Sequence, residues 1–121
     1  MAKTLLQLRQ DILAFRDARN WAQFHKVKDL MLSLALEATE VLELAQWQSD
    51  AEMENFCAHA ENREKLGDEC ADVLAYLLLL TDRAGIDLEE AFTAKLARNA
   101  AKYPIEQCHG RREKYTRFQQ E

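Results

Sequence analysis

Two pairs of acids stand where acids are costly. Glu37 and Glu40 lie three residues apart in one apolar-periodic segment, and Glu69 and Asp72 three apart in another. At about 100° per residue, each pair shares one face of a helix. Leu30, Leu34, Val41 and Leu44 form an apolar stripe with Glu37 in its middle and Glu40 at its rim. Glu69, Asp72 and Tyr76 share a face of Leu66–Leu80, LGDECADVLAYLLLL, which is apolar on nearly every side. A helix of that kind is a central, buried one. Four carboxylates brought together there cannot all stay ionised without a compensating charge. A hard cation with oxygen ligands supplies it, and Mg²⁺ suits carboxylates completed by water. One i, i+3 acid pair is ordinary on an exposed helix, so the reading rests on there being two.

The elements that must position these acids are helices. Leu, Ala, Glu and Lys dominate, with one proline, three glycines and few β-branched residues, which favours long helices over a sheet. The periodicity predicts helix one from about Thr4 to Arg19, with Leu5, Leu8, Ile12 and Phe15 inward. Asn20 to Val27 reads as a loop or turn that gathers Trp21, Phe24 and His25; these either plug the end of the bundle or wall a base-stacking pocket. Helix two runs from Lys28 or Asp29 to Gln48, closed by Trp47. Ser49 with Glu52 forms a capping box for a short helix, Asp50 to Cys57. The polar stretch His59 to Arg63 is a connection, and the central helix runs from Glu64 to Ala84, stopped by Gly85. Asp87 with Glu90 caps a last helix, Leu88 to Ala101, before Tyr103 and Pro104. Lys95, Asn99 and Lys102 form a polar, mostly basic stripe along it. The result is an all-α, antiparallel bundle of about four main helices over residues 1–104. A basic tail follows, 105–121, either solvated or folded over a site or a neighbouring subunit with Tyr115 and Phe118 as anchors.

Composition narrows the partners. The chain has 121 residues, one domain's worth, and a net charge of −5. An acidic chain is not expected to bind nucleic acid by neutralising phosphates. No apolar run approaches the ~20 residues that span a bilayer, and Gln7, Arg9, Gln10 and Asp11 interrupt any signal-peptide core. Cys57, Cys70 and Cys108 fit no zinc spacing, and Cys70 reads as a small core residue; a reducing, cytoplasmic setting is expected. Di-iron bundles use Glu-x-x-His, whereas the motifs here are Glu-x-x-Glu and Glu-x-x-Asp. A carboxylate–Mg²⁺ site near a basic stripe points to metal-assisted hydrolysis of a phosphorylated ligand. The residues alone do not name the bond that is cut.

Five segments carry a resemblance: NWAQFH (20–25), LALEATEVLELAQW (34–47), DECADVLAYL (68–77), GIDLEEA (85–91) and KLARNAAKYP (95–104). Together they resemble the all-α nucleoside triphosphate pyrophosphohydrolases, MazG-like, in the dCTP pyrophosphatase branch. The resemblance implies hydrolysis between the α and β phosphates of a (deoxy)nucleoside triphosphate, with dCTP or a related nucleotide as leading substrate. It implies Mg²⁺ held by Glu37, Glu40, Glu69 and Asp72, with one of them or a neighbouring acid orienting the attacking water. Trp21, His25, Trp47 and Tyr76 then surround the nucleotide, and Lys95, Asn99, Lys102 and Tyr103 hold phosphates and sugar. Subunits of the family pair into homodimers or homotetramers. The chain departs from the family's pattern at Leu36, where many members carry a further acid, and at Ile12 and Asp29. Two competing expectations are a non-catalytic helical interaction module and a phosphohydrolase of different bond specificity.

Overall fold

The computed structural model describes residues 1–118, the last of them by its backbone only. Every regular element among them is helical: α1 (Leu5–Ala18), a 3₁₀ turn (Ala22–Phe24), α2 (Val27–Glu43), α3 (Asp50–Phe56), α4 (Ala60–Arg83), α5 (Leu88–Lys102), α6 (Ile105–Cys108) and α7 (Tyr115–Phe118). The all-α class read from composition is the class observed, with α1, α2, α4 and α5 as the long helices.

The helix ends follow local chemistry. Thr4 starts α1 with a reciprocal capping box, its hydroxyl accepting from the Gln7 N–H while the Gln7 side chain accepts from the Thr4 N–H. Ser49 and Asp87 cap α3 and α5 by accepting from the N–H groups of Glu52 and Glu90. At the end of α4, Gly85 takes φ +69°. Its N–H donates to the Asp82 carbonyl and that of Ile86 to the Thr81 carbonyl, a Schellman stop that needs the left-handed residue.

The chain forms two compact units, Met1–Ile86 and a second from Asp87 onward. In the first, α2 lies against α4 along much of its length, and α1 lies against α4 as well. Leu30, Leu78 and Leu79 are the buried apolar residues, joined by Thr81, whose hydroxyl donates to the Leu77 carbonyl at 2.9 Å. In the second unit the segment after Pro104 returns to the end of α5. Tyr115 meets Tyr103 edge-on at 6.0 Å between ring centroids, and the Lys102 ammonium lies 4.9 Å from the Tyr115 ring centroid. Tyr115 thus packs on the end of α5; the side chain of Phe118 and residues 119–121 lie outside the described residues.

Several boundaries differ from expectation. α2 ends at Glu43, not Gln48. The N–H groups of Leu44, Ala45 and Gln46 bond three residues back, so the last turn tightens, and Trp47 leaves it at φ +66°. Leucine periodicity survives this tightening, which is why the sequence hides it. α4 begins at Ala60, four residues early, with Asn62 and Arg63 both donating to the His59 carbonyl at 3.1 Å. A polar first turn is compatible with helix when it faces solvent. Cys70 is exposed, not a core residue, and among the described residues burial on α4 is confined to Leu78, Leu79 and Thr81. An apolar helix can be buried, but apolarity does not say that one chain alone covers it.

Candidate functional site

The packing of α2 on α4 brings the four predicted acids together. Glu37, Glu40, Glu69 and Asp72 each offer one carboxylate oxygen, and these oxygens all lie within 4.8 Å of one another. Each pair shares a helix face because its members are three residues apart. Glu37 and Glu69 are half-buried, Glu40 and Asp72 exposed. The buried oxygens Glu37 Oε2 and Glu69 Oε2 have no hydrogen-bond partner. Native proteins rarely leave such atoms unsatisfied. Burial, then the neighbouring Glu40 and Asp72, push the Glu37 carboxyl above its ordinary value. Hydrogen bonding to Glu40, then burial and the other acids, do the same to Glu69. No lysine or arginine forms an ion pair with any of the four among the described residues. An all-oxygen donor set with unsatisfied buried atoms and no internal counter-charge fits a hard divalent cation.

Asp72 also borders a cavity of about 210 Å³ between α1, the 3₁₀ turn and α4. Its walls include Phe15, Trp21 and Tyr76, with Ile12, Ala75 and Leu79 completing the apolar lining. Phe15 and Trp21 meet edge-to-face at 5.8 Å. His25 lines the same cavity, and its Nδ1 is buried without a partner. Burial and the charge of Arg16 lower its pKa, so the neutral ring is favoured. Trp21 and His25 of the loop therefore line the cavity, whereas Phe24 is 63% exposed and does not. Arg16 was not among the residues singled out from sequence. Its signal was there, because Ile12, Phe15 and Arg16 fall at i, i+3 and i+4, one face of α1.

Trp21, His25 and Tyr76 thus lie at one cavity beside the acids. Trp47 is 92% exposed and not among that cavity's lining residues. Lys95, Asn99 and Lys102 lie along one face of α5 in the second unit, and the Tyr103 N–H donates to the Asn99 carbonyl at 2.9 Å.

Known proteins resemble this chain in sequence and in fold. A model of the MazG-like family matches residues 32–118. The dCTP pyrophosphatase 1 of Rattus norvegicus is 38% identical over 113 residues, covering 93% of this chain and 66% of the relative. The dCTP pyrophosphatase 1 of Homo sapiens is 35% identical over the same shares. The chain therefore spans about two thirds of the length of these relatives. The crystal structure of a pyrophosphatase from Archaeoglobus fulgidus superposes with a TM-score of 0.75 at 36% identity, covering 86% of this chain and 95% of that one. Because the matched region runs through both acid pairs and the whole of α5, on a shared helical fold, the chain belongs to the MazG-like family.

Proposed function

We propose that the protein is a Mg²⁺-dependent nucleotide pyrophosphohydrolase that cuts the α–β bond of a (deoxy)nucleoside triphosphate, with dCTP as the leading substrate. The observation that carries this is the cluster of four carboxylates on α2 and α4, with its partnerless buried oxygens. The choice of bond and base follows the relatives, which are dCTP pyrophosphatases.

Glu37, Glu40, Glu69 and Asp72 would hold the cation, which when bound offsets their charge and polarises phosphate oxygens. The remaining chemistry belongs to the chain. A carboxylate of the cluster accepts the proton of the attacking water, which adds to the α phosphorus as pyrophosphate leaves. The products are a nucleoside monophosphate and pyrophosphate. Phe15, Trp21 and Tyr76 exclude water from the base and offer ring faces for stacking. Lys95, Asn99, Lys102 and Tyr103 are assigned to the phosphates and sugar, and Trp47 to the nucleotide.

A homodimer or homotetramer is part of the proposal. Leu32, Leu36, Leu42, Phe92, Leu96 and Ile105 are all more than half exposed, apolar surface that a second subunit would cover. A cytoplasmic setting is supported by Cys57, Cys70 and Cys108 being free thiols. No helix among the described residues is long and apolar enough to cross a membrane.

Ion-exchange analysis of products, with each common dNTP and NTP and with or without Mg²⁺, tests the reaction. Monophosphate plus pyrophosphate, formed only with metal, is expected. Diphosphate plus phosphate would keep the metal site and refute the bond assignment.

A further inference from the structure

The cavity beside the acids holds a charged group for which the reaction has no use. Arg16 lines it with Phe15, Trp21, His25, Asp72 and Tyr76. Its side chain is only 15% exposed, although it stands on a helix with open water nearby. Two carboxylates hold it. Nε donates to Asp17 Oδ1 at 2.8 Å, and Nη1 lies 3.5 Å from Asp82 Oδ2. These contacts fix the plane of the guanidinium. They also offset part of its charge, which makes it a weaker anchor for phosphate. The contact to Asp82 is long, so the terminal Nη1/Nη2 edge is lightly engaged. No hydrogen bond or ion pair of Nη2 occurs among the described residues. A held, partly neutralised guanidinium at an aromatic-walled cavity remains a pure donor. It suits a flat, uncharged ring that presents acceptors.

We propose that Arg16 is a base-selecting residue, donating from its terminal edge to the O2 and N3 atoms of a cytosine ring seated among Phe15, Trp21 and Tyr76. The inference rests on the nucleotide reading above and names the group that would enforce its base. Cytosine carries O2 and N3 as adjacent acceptors. Uracil and thymine carry a hydrogen on N3, so the same edge would set N–H against N–H and leave a half-buried donor unpaired. Guanine also offers paired acceptors, O6 and N7, so the edge separates cytosine from uracil and thymine.

The test is calorimetric binding of dCMP and dUMP, with Mg²⁺, to the wild type, Arg16→Met and Arg16→Lys. The two ligands share phosphate and sugar, so the ratio of their Kd values isolates the base. The wild type should prefer dCMP by about tenfold or more. Arg16→Met, which keeps the apolar stem, should bring the ratio near one, mostly by weakening dCMP. Arg16→Lys keeps the charge but not the two-pronged edge, and should lower the ratio too. Three results overturn the proposal: no wild-type preference, no binding of either monophosphate, or equal weakening of both ligands with the ratio kept. The last would make Arg16 only a tie between α1 and α4. Selective binding lost in the variants, with no triphosphate hydrolysed by any form, would sink the reaction and leave the base selection standing.

Discussion

In the C-terminal half of α4, Leu78 and Leu79 are 3% and 5% exposed and Thr81 is buried with its hydroxyl bonded to the helix's own backbone. Two turns earlier on the same helix, Glu69 is half-buried with an unsatisfied oxygen and Asp72 lies open to solvent. Both halves have α2 or α1 beside them, yet one is finished and the other is not. Buried apolar atoms need only neighbours, whereas buried carboxylates need a counter-charge that no described residue provides. Stability and chemistry are thus divided along one helix, and the division can be tested from both ends.

The largest expected effect is on the acid half. Asp72→Asn and Glu40→Gln, both at exposed positions, should lower kcat by about 10²- to 10⁴-fold, with circular dichroism and thermal midpoint close to wild type. If both variants turn over substrate at wild-type rate, the acids do no chemistry. The other end should behave in the opposite way. Leu78→Ala, or Leu30→Ala at a side chain only 1% exposed, should cost about 2–5 kcal/mol in urea unfolding. The protein that remains folded should keep its turnover per molecule.

A subtler contrast appears with pH. Glu37 and Glu69 are pushed above the ordinary glutamate value of 4.5. The folded chain therefore binds their protons more tightly than the unfolded chain does. Stability is fully present below the ordinary value and falls as pH rises through the raised ones. The midpoint of the metal-free protein should fall as pH rises above the ordinary glutamate value, and Mg²⁺ should recover much of the loss. Glu37→Gln should flatten the metal-free curve; a curve that keeps its slope would show that the carboxyl is not strained. The smallest effect is expected far from α4. Tyr115→Ala removes a ring from Lys102 and Tyr103, an exposed cation–π contact worth about 0.5–1 kcal/mol. It should raise KM two- to five-fold at most, by roughly that energy, with kcat unchanged if Lys102 serves only to hold phosphate.

The helices were legible in the amino-acid order because their signals are local. Apolar spacing, the Ser49 and Asp87 caps and the Gly85 stop each act within one or two turns. The acid pairs were legible for the same reason, since three-residue spacing fixes a shared face before any helix meets another. What the sequence could not show was which faces meet, and how completely. Only the seating of α2 on α4 brings the four carboxylates within 4.8 Å and strands their oxygens. Only the return of α1 past α4 sets Arg16 between Asp17 and Asp82 at the cavity. Trp47 and Cys70 mark the same boundary from the other side, because apolar character measures what a residue gains by burial and not whether a neighbour arrives to bury it. Local backbone energetics chose the elements; long-range packing, which depends on several helices at once, chose the site.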